Sequence, residues 1–461
     1  MTRSIATGPL QETPLAAGVR GAPPALDYIP AVTVEELLAM FSLALDLAEG
    51  RAKGHALRVG FVAQALAQTL GMPTSQRLAA LHAGLLHDIG APHASESVSD
   101  LGRGFEHELF AGSPLLGPES LAGRIDSRRL VRVTDAFHEH AFDGATAAAA
   151  LNLPPVVAEA ILCHHERHDG GGFPLGLSGN EISPLARIVA VADFAESWLA
   201  TSSNPLYARR ALEPTLREIA GRAFHPQVVD ALATLTRDDA FWLGFHGQQL
   251  LALITTPARE DIKPLAEPAL LRTCATFADI VDARSSYKRG HSRRVALHAR
   301  ALAGAAGLAE THARTVELAG LLHDVGMLRV PVRLIGKPEI LSVEEMSLLH
   351  AHPFETAEII RAIPPWAPIA AWAGAHHERL DGRGYPDSLS ADEIGIESRM
   401  LAIADIYEAL TANRPHRPAL PPADALRTMR GMAGVNVDPA LLTLFEELSA
   451  RSPEVPQASA S

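Results

Sequence analysis

Apolar side chains recur at three- and four-residue steps along most of the chain, the period of one face of an α-helix. Leu297–Leu308 (LHARALAGAAGL), Thr311–Val325 (THARTVELAGLLHDV) and Val156–His165 (VVAEAILCHH) all carry it. No convincing series of strand-type alternation interrupts the pattern. It predicts an all-α protein, built as helical bundles of about six to eight helices each.

The period lapses in three places. Residues 1–32 are rich in Pro, Gly and Ala and read as a flexible arm, and residues 453–461 read as a flexible tail. Residues 253–268 hold Pro257, Pro264 and Pro268 among mixed charges and read as a short linker. Two units remain, 33–252 and 269–452, and each repeats the other. GHALRV (Gly54–Val59) returns as GHSRRV (Gly290–Val295), and LLHDIG (Leu85–Gly90) as LLHDVG (Leu321–Gly326). HHERHDGGGFP (His164–Pro174) returns as HHERLDGRGYP (His376–Pro386), and VADFAES (Val191–Ser197) as IADIYEA (Ile403–Ala409). Spacings are kept as well. In both units 32 residues separate the first His from the His-Asp pair, and 29 separate the double His from the late Asp. His140 and His352 each precede the double His by 24 residues. The first unit merely carries extra residues between its His-Asp pair and His140.

The net charge of −13 argues against sequence-independent binding to DNA or RNA, which needs a basic face. A small anion held by a local cluster is still allowed. Cys163 and Cys274 cannot form a disulfide framework and read as buried, inert thiols of a reducing compartment. No apolar h-region and no run long enough to span a bilayer occur, so the expectation is a soluble, cytoplasmic protein that does not enter membranes.

The second unit gathers His291, His323, Asp324, His352, His376, His377 and Asp405. Imidazole and carboxylate together suit borderline divalent ions such as Mn, Fe, Co, Ni or Zn. Five histidines and two carboxylates are too many for one tetrahedral zinc, and the right number for two ions sharing a bridge. A lone His-Asp dipeptide on a helix usually means nothing. Seven such residues at matched spacings in two units point to a metal-binding origin for the repeat.

With these motifs, the second unit resembles an HD-GYP domain, a branch of the HD phosphohydrolase superfamily. The likeness covers roughly residues 277–417, including Lys337-Pro338, His352 followed by Pro, HHERLDGRGYP and ADIYEALTANRPHRP. The resemblance implies a helical HD fold and two divalent transition metals, Fe, Mn or similar. It implies that His291, His323, Asp324 and Asp405 hold one ion, and that Asp324 (bridging), His352, His376 and His377 hold the other. It implies a phosphodiesterase acting on cyclic di-GMP, with His323 and Asp324 at the catalytic heart. A hydroxide activated by both metals would attack phosphorus in line and release a linear dinucleotide. Lys337, Arg379 and Arg414 are candidate phosphate cations, with a plain surface role the equal alternative for each. Tyr385 is either a recognition handle or a packed aromatic.

Several positions depart from the family. Met327 stands where members commonly have Lys after the His-Asp pair, which puts turnover or substrate identity in question. Tyr287 stands where some members have a third-metal glutamate. Ser285, Lys288 and Thr356 also differ. The first unit keeps its full set, His55, His87, Asp88, His140, His164, His165 and Asp193, as a second candidate metal site. Its surroundings have drifted: Ala91 replaces the lysine, Phe173 replaces the tyrosine, and the Lys-Pro segment is missing. It reads as a degenerate HD domain, able to hold metal, with a sensory, structural or different hydrolytic role. The leading expectation is therefore a cyclic di-GMP phosphodiesterase seated in the second unit. The alternatives are a hydrolase of another nucleotide or phosphate ester, and a non-catalytic regulator that binds a cyclic dinucleotide. A homodimer or a signalling partner fits the helical faces, but nothing fixes the oligomeric state.

Overall fold

The computed structural model describes residues 29–91, 127–200, 205–247, 250–255, 263–285, 287–414 and 417–451. Most of the arm, the tail, the middle of the linker and most of the extra residues before His140 lie outside the described residues. Among the described residues the protein is helical, with isolated β-bridges and no strands. No described helix is long and apolar enough to cross a membrane.

The first half runs α1 (Val34–Glu49), α2 (His55–Thr69), α3 (Thr74–Leu86), α4 (Ser127–Ala150), α5 (Pro155–Leu162) and α6 (Pro184–Ala200). It continues through α7 (Pro205–Ile219), α8 (Pro226–Leu235), α9 (Asp239–His246) and α10 (Leu250–Thr255). The second half runs α11 (Glu267–Asp282), α12 (His291–Ala305), α13 (Glu310–Leu322), α14 (Val332–Ile335), α15 (Val343–His350) and α16 (His352–Ile360). It ends with α17 (Ala367–Gly374), α18 (Ile396–Thr411), α19 (Pro422–Arg430) and α20 (Pro439–Arg451). A 3-10 turn, Val325–Arg329, follows α13.

In each half the helix opened by the first His packs against the helix that ends at the His-Asp pair and against the one bearing the late Asp. Small residues permit the first approach. A Cβ on Gly84 would lie 2.7 Å from the Gly60 Cα, and one on Gly320 2.7 Å from the Ala296 Cα. The start of the His helix is tied down by a buried carboxylate of the preceding helix. Asp282 accepts from the Ser292 amide and hydroxyl, both at 2.9 Å, and Asp46 accepts from the amides of Gly54 (2.6 Å) and Ala56 (3.1 Å). Such capping satisfies amides that have no partner inside the helix.

The halves share one hydrophobic core. Helix α1, opened by a Thr33–Glu36 capping box, packs on its own α2 and α3 and also on the 3-10 turn and α16 of the second half. Phe41 of α1 stacks on Phe277 of α11 at 3.8 Å between centroids. Backbone and side-chain hydrogen bonds continue the seam, from Leu265 N–H to the Val32 carbonyl (2.8 Å) and from Trp366 Nε1–H to that of Pro30 (3.3 Å).

Candidate metal centres

All seven candidate ligands of the second half converge. His291 opens α12, His323 ends α13, Asp324 begins the 3-10 turn, and His352 opens α16. His376 and His377 follow α17, and Asp405 lies within α18. Adjacent positions on a helix diverge by about 100°, so the His-Asp pair could not aim together within one. Here the helix stops at His323 and the turn brings Asp324 round.

Asp324 stands between two groups. Its Oδ2 lies 3.5 Å from His291 Nε2 and 3.6 Å from His323 Nε2, while its Oδ1 lies 3.4 Å from His352 Nε2. Asp405 Oδ1 is 3.3 Å from His291 Nε2, and its Oδ2 is 3.9 Å from His377 Nδ1. His352 and His376 face each other, Nε2 to Nε2, at 3.4 Å. Ligand atoms of His291, His323 and Asp324 fall within 4.8 Å of one another, as do those of His352, His376 and His377.

Ring orientation is fixed from behind. Nδ1 of His323, His352 and His376 donates to the carbonyls of Gly320 (2.7 Å), Leu349 (2.7 Å) and Ala373 (2.6 Å). A carbonyl only accepts, so Nδ1 carries the proton and Nε2 of a neutral ring presents its lone pair to the centre. His291 is held instead by Glu408, which Arg294 grips in turn, with Arg294 Nε at 3.0 Å. Burial pushes His352 and His376 down to about 4 and His377 well below its ordinary value. Burial disfavours charge on Asp324 and Asp405. Lys288 and His323 outweigh it at Asp324, and His291 and His377 at Asp405, so both carboxyls stay well below the usual range. The centre is thus set with neutral rings and ionised carboxylates, the protonation states that bind cations. His291 is the exception: burial opposes its charge, but Asp324, Asp405 and Glu408 around it raise it well above its ordinary value.

The donor types gathered here fit divalent metal. Nε2 of His291 and of His323 are buried without a hydrogen-bond partner, and such orphaned atoms need an explanation. A cation held between these two rings would supply it.

Gly326 sets the separation of the groups. A Cβ there would lie 2.1 Å from the His352 carbonyl oxygen, so only glycine lets the Asp324 turn press on α16. The Thr356 hydroxyl clamps the same junction, accepting from the Gly326 amide (2.9 Å) and donating to the His323 carbonyl (3.0 Å).

The first half builds the same geometry. His87 Nε2 is 2.9 Å from Asp88 Oδ2, and His55 Nε2 is 3.6 Å from Asp193 Oδ1. His140 and His164 lie 3.6 and 4.0 Å from Asp88 Oδ1, and His165 is grouped with both. Nε2 of His140 and His164 and Oδ2 of Asp88 lack hydrogen-bond partners. Gly90 repeats Gly326, with a Cβ position 2.0 Å from the His140 carbonyl oxygen. The tuning differs: Asp88 overcomes burial to raise His87 to about 9, and burial drives His164 to about 3.

The remaining candidates divide. Lys337 donates to both oxygens of Glu345 (2.8 and 2.6 Å), and Arg379 to Asp381 (3.0 and 2.7 Å), so nearby carboxylates already neutralise both cations. Arg414 does face the centre's supports, 3.6 Å from Glu408. Tyr385 stacks on His350 at 3.8 Å and lies 4.9 Å from His377, so it packs beside the second group. Cys163 and Cys274 are buried free thiols, and burial raises Cys163 to about 11.

Sequence reasoning missed the supports. Glu408 and Arg294 recur in the first half as Glu196, 2.5 Å from His55 Nδ1, and Arg58, 2.6 Å from Glu196. Glu378 and Glu166, each directly after a double His, hold the following loop through backbone amides. Glu378 accepts from Asp387 (2.7 Å) and Leu389 (2.9 Å), and Glu166 from Leu175 (2.6 Å) and Leu177 (2.9 Å). Their signal was in the repeat: all three supports stand at the same offsets from the neighbouring His or Asp in both units.

Known proteins share this layout. The HD domain family matches residues 53–196 and again residues 275–441. The chain is 32% identical over 300 residues to 3'3'-cGAMP-specific phosphodiesterase 3 of Vibrio cholerae, and spans 64% of that relative's length, as of its own. It is 26% identical over 386 residues to 3'3'-cGAMP-specific phosphodiesterase 1 of the same organism, covering 82% of each. A cyclic di-GMP phosphodiesterase of Pseudomonas aeruginosa matches at 31% over 248 residues, 53% of this chain and 56% of that protein. In fold, the crystal structure of a cyclic GMP-AMP specific phosphodiesterase of V. cholerae superposes with a TM-score of 0.64 at 24% identity, over 91% of this chain and 98% of that one. Fold and site define a protein of tandem HD domains. The chain belongs to the HD-GYP family.

Proposed function

We propose that the chain is a metal-dependent phosphodiesterase that opens a 3'3'-linked cyclic dinucleotide to a linear dinucleotide in its second domain, residues 269–452. The observation that carries this reading is Asp324, whose two oxygens face separate histidine groups. His291, His323, Asp324 and Asp405 would hold one ion, and Asp324, His352, His376 and His377 the other, with Fe or Mn suited to the donors. Such a pair, when bound, makes water nucleophilic near neutral pH and neutralises charge on the phosphate. The protein's own part is positional. Carbonyls behind three rings and Glu408 behind the fourth fix where the lone pairs point, and the buried walls keep bulk water from competing. Tyr385 and His350, already stacked, offer a flat face beside the His377 group.

Cyclic di-GMP is the substrate that the resemblance implies. The relative named for it matches about half of this chain, whereas relatives matched over 64% and 82% are named for 3'3'-cGAMP. We therefore rank 3'3'-cGAMP first and cyclic di-GMP second. The first domain, residues 33–252, holds metal by the same donor logic and serves a sensory or structural role.

The test is hydrolysis of both cyclic dinucleotides, side by side, by the full chain reconstituted with Mn²⁺ or Fe²⁺, products resolved by chromatography. Metal-dependent linear dinucleotide that disappears in Asp324→Ala supports the reading. No turnover of either compound with metal demonstrably bound overturns it.

A further inference from the structure

We propose that Lys288 supplies the cation that steadies the substrate's phosphate in the second centre, taking over the part that Met327 leaves open. This rests on the phosphodiesterase reading above.

Lys288 lies in the loop between α11 and α12, three residues before His291. The loop is locally fixed: the Lys288 amide donates to the Ser285 carbonyl (2.9 Å), and the His291 amide to the Lys288 carbonyl (2.8 Å). Its Nζ reaches Asp324 Oδ2 at 2.6 Å, the same oxygen that faces His291 and His323. An ammonium has three donors, and Asp324 takes one. The side chain keeps 17% of its surface exposed against 4% for Asp324, so the lysine is the less buried member of the pair.

The other cations are less well placed. Met327 is packed in the hydrophobic core, its carbonyl held by Arg284 at 2.8 Å, so that position sends nothing charged to the centre. Glu345 and Asp381 engage Lys337 and Arg379. Arg414 is near enough to Lys288 for the two charges to disfavour each other. Two like charges converging beside a pair of divalent ions are relieved by an anion between them, and a phosphodiester is the anion this reaction brings. The first domain differs here. Three residues before His55 stands Ala52, exposed, and the adjacent Arg51 is engaged by Glu49 (2.7 Å) and Ser197 (3.3 Å). The first centre thus has no lysine at this position, and the cation whose charge reaches its His87, Asp88 and His140 is Arg51.

The test uses full-length, Mn²⁺-loaded wild type, Lys288→Met and Lys288→Arg. Inorganic phosphate is titrated calorimetrically, bound metal is counted by mass spectrometry, and KM and kcat are measured for the cyclic dinucleotide. The expected result is equal metal content in all three and phosphate affinity about ten- to a hundredfold weaker in Lys288→Met. Lys288→Arg recovers part of that affinity, and KM rises more than kcat falls. Unchanged phosphate affinity in Lys288→Met overturns the proposal. So does a gain in bound metal without loss of phosphate, which would make the lysine a mere occupant of the metal position. If wild type binds phosphate through Lys288 yet cleaves no cyclic dinucleotide, the phosphodiesterase reading fails and the anion site stands.

Discussion

Lys53 Nζ lies 2.8 Å from Glu355 Oε2, across the seam between the two halves of the chain. Lys53 precedes His55 by two residues, and Glu355 follows His352 by three, so the pair joins the entrance of one centre to the helix of the other. Glu355 is buried and also accepts from Arg329 at 2.7 Å. The Lys53 approach is an ion pair by distance without hydrogen-bond geometry, and the lysine side chain is 45% exposed. Its worth is therefore small. Lys53→Ala should cost less than about 1 kcal/mol, whereas Glu355→Ala, which strips the buried partner, should cost about 2 kcal/mol. Urea unfolding of both variants checks the ranking, and equal costs would contradict it.

The seam also bears on cooperativity. Phe41 and Phe277 are fully buried and stacked on each other from opposite halves. Phe41→Ala removes a large side chain from this junction and should cost about 3–5 kcal/mol. Because α1 packs on both halves, wild type should melt in one calorimetric transition, and Phe41→Ala should split or broaden it. Two well-separated transitions in wild type would show that the halves fold independently.

Seven candidate ligands per half were legible in the sequence because metal chemistry restricts residue type, and the duplication held them at fixed spacing. Their supports were equally repeated, yet Arg58, Arg294, Glu196 and Glu408 look like ordinary charges on helix faces. Only the fold shows that Glu408 meets His291, 117 residues away. Lys288 registered only as a departure from the residue usual in the family at that position. Lys337 and Arg379 are met by local carboxylates, Glu345 and Asp381, that lie eight and two residues on. Helix α1 was assigned to one unit, although Leu37, Leu38, Ala39, Met40 and Phe41 are consecutively buried. A helix apolar on all sides must be covered on all sides, and the second half provides that cover.

Asp324 and Asp88 should separate the two centres. Asp324→Ala removes the carboxylate between the second-domain groups and should lower hydrolysis by about a thousandfold or more, since a site that holds its ions poorly forfeits several kcal/mol of charge stabilisation. Asp88→Ala should reduce bound metal as well, with a much smaller loss of turnover. Metal counts and initial rates on the same preparations decide it. A reversed ranking of rates would move the active site to the first domain.

Gly326→Ala tests how the His-Asp turn is seated. The added methyl would meet the His352 carbonyl oxygen at 2.1 Å and the Thr356 amide at 2.6 Å, both backbone atoms that cannot rotate away. The turn must back off from α16, which widens the gap between Asp324 and His352. Overpacking of this kind costs about 1–3 kcal/mol. Metal content should fall alongside stability, and Gly304→Ala, where a Cβ meets nothing within 4 Å, serves as the control. Normal metal binding by Gly326→Ala would show that the close approach is dispensable.

His298 gives the protein a pH dependence away from the metal ligands. Its ring lies on α12 between Tyr407 (5.2 Å) and Phe445 (5.6 Å). Burial first, then Arg294, lowers it to about 4, against an opposing pull from Glu408. The folded value thus lies below that of the unfolded chain, near 6.5. As pH falls through 6.5 the unfolded chain takes up a proton that the folded protein refuses until about pH 4. Stability is therefore full above 6.5 and is lost on acidification, by on the order of 2 kcal/mol at pH 5. His352 and His376 act in the same direction, while Asp282, raised by burial to about 6, acts oppositely and loses its contribution as pH rises. Comparing wild type with His298→Leu cancels these other groups. The variant should gain on wild type by that amount between pH 7 and pH 5 in urea unfolding, and a constant difference would show that His298 titrates alike in both states.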